Sequence, residues 1–401
     1  MPDFIPVNEP SLNGNEKEYL LDCIDTGWVS SEGAYVSAFE RRMAAYVGRA
    51  HGVAVANGSA ALEVAIEALG IGPRDEVIIP SFTIISCAAP IVRRGATPVV
   101  VDADPSTWNM DVSAVEPLVT ARSKAVMAVH TYGLPVDMDP LLEIARRHRL
   151  AVIEDAAEAH GLTYKGRKCG SFGDISVLSF YPNKLVTTGE GGMVLTDDDA
   201  LADRCRSLRN LCFQADRRFV HEELGYNYRL SNLQAAVGVA QLEMLDEHVE
   251  VKRQMGLRYT TLLQGCPGVQ LPLRRTEYAD NGYWVYGVVL DRAVPFDARH
   301  LADKLRTRGV GTRPFFFPMN RQPVFLRAGL FKGVSCPVAE RIAERGLYLP
   351  SGLGLTEEQT ERVAAAVLDV LRATGRGVRG SALENPQIGM TSTPSSDVSP
   401  Q

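Results

Sequence analysis

Lys184 stands out for its surroundings. In SFYPNKLVTTGEGGMVL, Ser179 to Leu195, it occupies a polar loop between two short apolar runs, Val177–Phe180 and Met193–Leu195. Each run is brief, apolar and bounded by turn residues, which is the pattern of a β-strand. A lysine held on such a hairpin cannot wander far. That suits an enzyme that makes an imine between a lysine amine and a carbonyl compound. Taken alone, a solvated turn lysine is the plainer reading, since lysines are mostly exposed.

Two further motifs bear on the choice. In NGSAAL, Asn57–Leu62, a glycine and a serine sit where a strand gives way to a helix. The free N–H groups and positive dipole end of a helix start suit a phosphate, although a serine N-cap alone would look the same. In VIEDAAEAHG, Val152–Gly161, Asp155 falls at the carboxyl end of a buried strand, where open α/β sheets place their ligands. An ionised carboxylate there needs a cationic partner or strong hydrogen bonds. The protonated ring nitrogen of pyridoxal 5'-phosphate (PLP) is one candidate; a magnesium site or a helix cap would serve as well. His160 lies in the following loop and reads by itself as a surface histidine. Phosphate cradle, strand-end aspartate and loop lysine together make the parts list of a PLP site. Ser179 could add a hydroxyl to the phosphate, and Thr187–Gly192 (TTGEGG) lets the backbone turn close to a cofactor.

These residues need a scaffold, and the chain is long enough to supply one. Its 401 residues allow two packed domains. The alternation of strands and helices predicts an α/β fold with a mainly parallel sheet. Strands are expected at Val53–Asn57, Glu76–Pro80, Thr97–Asp102, Ala125–His130 and Ala151–Asp155, several of them apolar throughout, as strands covered on both faces are. Helices are expected at Ser59–Leu69, Pro140–His148, Leu230–Leu245 and Val249–Leu263. A smaller α+β unit begins near residue 250. It has a strand at Tyr283–Leu290, a helix at Asp297–Arg308 and a last helix running from the capping box Thr356–Gln359 to about Ala373. The expected division is a large PLP-binding domain over 1–249, a small C-terminal domain over 250–374, and a disordered tail over 375–401, rich in Ser, Pro, Thr and Gly.

Composition removes other classes. A net charge of -6 leaves no basic footprint for nucleic acid. No apolar stretch approaches the roughly 18 residues of a membrane span, and the start lacks the basic-then-apolar pattern of a signal peptide. Seven scattered cysteines, with no CxxC pair, read as reduced packing thiols in a cytoplasmic protein and suggest neither a metal nor a disulfide frame.

The motifs DTGWVSSEG (Asp25–Gly33), NGSAAL, PSFT (Pro80–Thr83), DAAEAHG (Asp155–Gly161), SFYPNKLVTTGEGG and GYNYRLSNLQAA (Gly225–Ala236) resemble the DegT/DnrJ/StrS sugar aminotransferases of nucleotide-sugar biosynthesis. These are fold type I PLP enzymes, and the likeness covers about residues 5 to 372. DTGWVSSEG and DAAEAHG are most similar to the branch that makes GDP-perosamine, converting GDP-4-keto-6-deoxy-mannose to its 4-amino sugar with glutamate as donor. The resemblance implies that Lys184 bonds covalently to PLP and shuttles protons, that Asp155 keeps the pyridine nitrogen protonated, and that Ser59 and Ala60 by their backbone, with Ser179, hold the phosphate. It implies that Asn227, and in a similar role Arg229, reach the site of a second subunit, so that a homodimer shares its active sites. Trp28, Thr83 and His160 match positions lining the sugar side; a buried aromatic, a strand-end threonine and a surface histidine are the plainer readings.

Most of the family has glutamine where this chain has Glu158. An ionised carboxylate cannot donate to the cofactor's phenolic oxygen, so Glu158 is protonated, bridged by water or turned away. The family's dehydratase variants carry histidine in place of the lysine, so Lys184 excludes that chemistry on the resemblance. Amination at C3 of a GDP-linked sugar, or of a dTDP-linked keto-sugar, would use the same cofactor residues. A non-catalytic regulator on a PLP scaffold is the reading from another class. Loops around Phe213–Glu223 and Arg313–Asn320 are expected to read the nucleotide base.

Overall fold

Apolar runs that do not alternate must be covered on both faces, and seven of them assemble into one sheet. The computed structural model describes residues 4–214 and 216–380. In it β1 (His51–Val55), β2 (Glu76–Pro80), β3 (Thr97–Val101), β4 (Ser123–Val129), β5 (Ala151–Asp155), β6 (Ile175–Ser179) and β7 (Gly192–Thr196) lie in the order β1, β7, β6, β5, β4, β2, β3. The run from β3 through β6 is parallel. Only β7 is reversed, pairing antiparallel with both β1 and β6. The carboxyl ends of β1, β2, β5 and β6 therefore open on one edge, together with the start of β7.

The hairpin of β6 and β7 pairs Ser179 with Gly192, so the loop carrying Lys184 springs from a fixed register. Beside it the helix Gly58–Ala68 begins. Its buried face, with Leu62, Ala65 and Ile66, packs on the sheet. Helix and hairpin approach so closely that a Cβ on Gly58 would come 2.7 Å from Cβ of Ser179. A Cβ on Gly192 would run into the carbonyl of Asn57.

Two elements behind the sheet were not anticipated, the helices Glu16–Asp25 and Ala34–Val47, which pack on the helix Asn232–Glu243. On the far side of the chain, Val269–Gln270, Tyr286–Leu290, Arg313–Pro314 and Gly346–Leu349 form a second, antiparallel sheet. Its core is closed by the helices Leu245–Leu263, Ala298–Arg306 and Glu357–Gly380. The chain start joins this second core, although it was assigned to the larger unit. Ile5 is buried there, with its N–H donating to the Gly309 carbonyl (2.8 Å). The capping box forms as expected, Thr356 Oγ1 accepting from the Gln359 N–H and Gln359 Oε1 from the Thr356 N–H. The helix it starts runs through Gly380 rather than ending near Ala373. The rest of the expected tail, 381–401, lies outside the described residues.

The close approach at Gly192 is testable. Gly192→Ala places a methyl group against backbone that cannot rotate away, and should cost about 1–3 kcal/mol, read as a lower urea midpoint. An unchanged midpoint would mean that hairpin and helix start are not packed as described.

Candidate active site

The edge where these segments meet encloses a cavity of about 520 Å³ lined by, among others, Ser59, Thr83, Asp155, Glu158, Ser179 and Lys184. The structure thus brings together six of the eleven residues singled out above. Four strand ends deliver them: Ser59 comes from the helix after β1, Thr83 from the exit of β2, Asp155 and Glu158 from the exit of β5, and Ser179 and Lys184 from the end of β6 and the hairpin loop after it.

Lys184 is buried. Its N–H donates to the Tyr181 carbonyl (2.9 Å), which closes a turn of the loop. Its Nζ lies 3.4 Å from Oε1 of Glu158 and 3.7 Å from the ring centre of Trp284. The indole N–H of Trp284 donates in turn to the Asn183 carbonyl (2.7 Å), which pins the ring against the loop. Burial pushes the Lys184 ammonium below its ordinary range; Glu158 and Asp155 pull the other way.

Glu158 is not turned away. Its Oε2 accepts from the Tyr132 N–H (2.9 Å) while Oε1 faces Lys184. Burial pushes its carboxyl up to about 7 against the opposing pull of Lys184, which makes a protonated, donating Glu158 accessible at neutral pH. Asp155 is 3% exposed. Oδ1 accepts from the Ala157 N–H (3.0 Å) and Oδ2 from the Cys87 thiol (3.4 Å). Burial raises its carboxyl too, and among the described residues no ion pair forms on it. A buried carboxylate held by one backbone N–H and one thiol, and in no direct ion pair among the described residues, is suited to a pyridinium N–H.

The arrangement fits PLP. Lys184 supplies the amine for its aldehyde, Asp155 the partner for its ring nitrogen, and the helix start at Ser59 with the Ser179 hydroxyl the donors for its phosphate. The glycine at 58 is what lets the last two stand side by side.

Five expected residues lie elsewhere in this chain. Asn57, not a serine, caps the helix, and the Ala60 N–H donates to Asn57 Oδ1 (2.8 Å), so Ala60 is already engaged. His160 is neither on the surface nor on the cavity wall. It is 2% exposed beside Phe180 (ring centres 5.9 Å), with neither ring nitrogen in a hydrogen bond, and burial pushes it down to about 3. Trp28 is 56% exposed rather than buried, and lies outside the cavity. Asn227 and Arg229 sit on an extended segment bridged to Asn210 and Val55, with Arg229 Nη1 donating to Asn210 Oδ1 (2.7 Å). They too lie outside the cavity.

Wall groups not singled out from the sequence include Trp284, Arg313 and Tyr348, all from the second sheet or the segment entering it. Arg313 lay inside a loop expected to read the base, but nothing in its local sequence ties it to Lys184.

A family model, the DegT/DnrJ/EryC1/StrS aminotransferase family, matches residues 10–368. The chain is 44% identical to a GDP-perosamine synthase of Caulobacter vibrioides over 92% of this chain and 98% of that one. Among solved structures, it is similar to DesV of S. venezuelae in complex with a ketimine intermediate (34% identity, TM-score 0.86, covering 92% and 99% of the two chains). It also resembles DesI in the presence of its TDP-sugar product (32% identity, TM-score 0.85, covering 95% and 96%).

Glu158 gives a pH signature. Its carboxyl titrates near 7 when folded and near 4.5 when unfolded. Between those values the folded chain keeps a proton that the unfolded chain has lost, so this group's contribution to stability falls as pH rises. Glu158→Gln removes that titration. Relative to wild type, the cofactor-free variant should gain up to about 3 kcal/mol between pH 5 and pH 8, measured by urea unfolding. A difference that stays constant with pH would refute the shift.

Proposed function

The chain belongs to the DegT/DnrJ/EryC1/StrS aminotransferase family, and from that premise we propose that it carries the amino group of glutamate to GDP-4-keto-6-deoxy-D-mannose, yielding GDP-perosamine. One observation carries the reading. A lysine amine 3.4 Å from the Glu158 carboxyl shares one cavity with the buried Asp155 carboxyl, in a chain matched over nearly its whole length by a GDP-perosamine synthase.

PLP, when bound, supplies the electron sink that makes the α-proton of glutamate acidic, and it stores the amino group between the two half-reactions. The rest falls to this chain. Lys184 Nζ takes the α-proton of the donor and later delivers a proton to C4 of the sugar from the same face. Only a neutral amine can do the first, and burial lowers the cost of neutrality. Asp155 holds a proton on the ring nitrogen. Ser59 and Ser179 hold the phosphate. Trp284 shields the amine from water, and Arg313, in no ion pair among the described residues, offers a cation to the anionic groups of both substrates.

In this reading residues 1–249, apart from the chain start that packs into the second core, form the cofactor-binding domain, and 250–374 a small domain that roofs the cavity. Asn227, Arg229 and Trp28 complete the site of a second copy, so the working unit is a homodimer. A cytoplasmic setting is supported by the cysteines, all seven of them free. No helix among the described residues is long and apolar enough to cross a membrane.

The test is to incubate the protein with glutamate and a panel of GDP- and dTDP-linked keto-sugars and to locate the new amine by NMR. The expected product carries it at C4 of the GDP-linked sugar. Amination of a dTDP sugar alone, or at C3, would overturn the assignment. Lys184→Ala should lower turnover roughly a thousandfold or more while pyridoxamine phosphate still binds. Substantial residual transamination would remove Lys184 from its role.

A further inference from the structure

Asp155 is held from two directions. Ala157, two residues along the same segment, donates its N–H to Oδ1 (3.0 Å). The other contact comes from a distant stretch of chain. After β2 the backbone passes Thr83 and makes a short turn at Ile85–Cys87, which brings Cys87 Sγ to 3.4 Å from Asp155 Oδ2. The same sulfur lies 3.2 Å from Thr83 Oγ1. Cys87 is fully buried and Thr83 nearly so.

The donors can be assigned by elimination. Opposite a pyridinium, Asp155 is ionised and only accepts, so the thiol hydrogen points to Oδ2. The sulfur then has only acceptor capacity left, so the Thr83 hydroxyl donates to it. The chain of bonds runs Thr83 to Cys87 to Asp155. Each carboxylate oxygen has one donor from a different part of the fold and one acceptor position still open, so the group cannot rotate without losing a bond.

We propose that Cys87, backed by Thr83, is a positioning residue that fixes the rotation of the Asp155 carboxylate toward the cofactor's ring nitrogen. The proposal rests on the reading of Asp155 as the ring's partner. A thiol suits the task because it is a weak donor. It sets the direction of the carboxylate while leaving most of its negative charge for the pyridinium. It is no nucleophile here: burial and the Asp155 charge push the thiol well above its ordinary range, so it stays protonated.

The test uses holoenzyme carrying PLP labelled with ¹⁵N in the ring. The nitrogen's chemical shift reports its protonation, which loss of packing alone does not move. Cys87→Ala should displace the shift toward the unprotonated value and lower kcat by about fivefold to tenfold with little change in KM for glutamate. Cys87→Ser, which restores a donor, should recover most of both. Thr83→Val keeps the volume, removes the second link and should move both readouts the same way by a smaller factor; it also serves if Cys87→Ala does not fold. A wild-type nitrogen shift and kcat in Cys87→Ala, or in Thr83→Val where that variant stands in, would overturn the proposal. Asp155→Asn separates the two levels. If it too leaves the ring nitrogen protonated, the reading of Asp155 falls; if it alone abolishes protonation, only the role of Cys87 falls.

Discussion

The site is organised by the burial of one amine and two carboxyls without enough partners to keep all three charged. Lys184 is displaced toward its neutral amine, Glu158 and Asp155 toward their neutral acids, and burial is the leading cause for each. The fold is capable of satisfying a buried carboxylate when function does not require otherwise. Glu154, the residue before Asp155, accepts from His130 Nε2 (2.8 Å) and from the Gly170 and Phe172 N–H groups (2.6 and 2.7 Å). The Val136 N–H donates to His130 Nδ1 (3.0 Å), which leaves the ring proton on Nε2 for Glu154. That carboxylate has its complement. The two facing the cavity do not, and a cationic, phosphate-bearing ring is the kind of partner that would complete them.

Sheet topology places these groups at one edge. Parallel strands send their carboxyl ends the same way, and the single reversed strand returns the lysine loop to that edge. Glycines at 58 and 192 let a helix start and a hairpin touch where side chains would separate them. The second sheet then supplies a roof. Trp284 lies over the amine, and Tyr348 and Arg313, opposite each other in register, complete the wall.

Much of this was legible because it is written in local pattern. Glu76–Pro80 and Ala151–Asp155 read as strands and are strands with those bounds. Asp155, Ser59 and Ser179 sit at strand ends or a helix start, and Lys184 in the loop between two paired strands, positions that this sheet brings together. The helix Ala34–Val47 was also within reach: Val36, Phe39, Met43 and Val47 are buried at helical spacing. Trp284 and Arg313 carry no such mark. Their role depends on how the second sheet docks, and nothing within a few residues of either encodes that. His160 misled for the opposite reason, since a loop position says nothing about what packs over it; Phe180 does.

Trp28, Asn227 and Arg229 are assigned to the site by resemblance, yet lie outside this chain's cavity. Either the assignment fails or another copy of the chain receives them. The surface around Trp28 favours the second. Leu21, Ile24, Trp28 and Val29 leave an apolar row exposed along the end of one helix and the turn beyond it, more than an isolated surface residue needs to explain. Arg229 in turn lines a separate cavity of about 450 Å³ with Arg206, Arg209 and Arg218. The first two of these are bound by Asp203 and Glu40, whereas Arg218 is in no ion pair among the described residues and lies near Phe213, 5.1 Å from its ring centre. An apolar row beside a surplus of guanidinium groups is hard to account for on a lone chain. In the proposed homodimer the row would bury against the second copy, and the arginines beside it would lie at that interface.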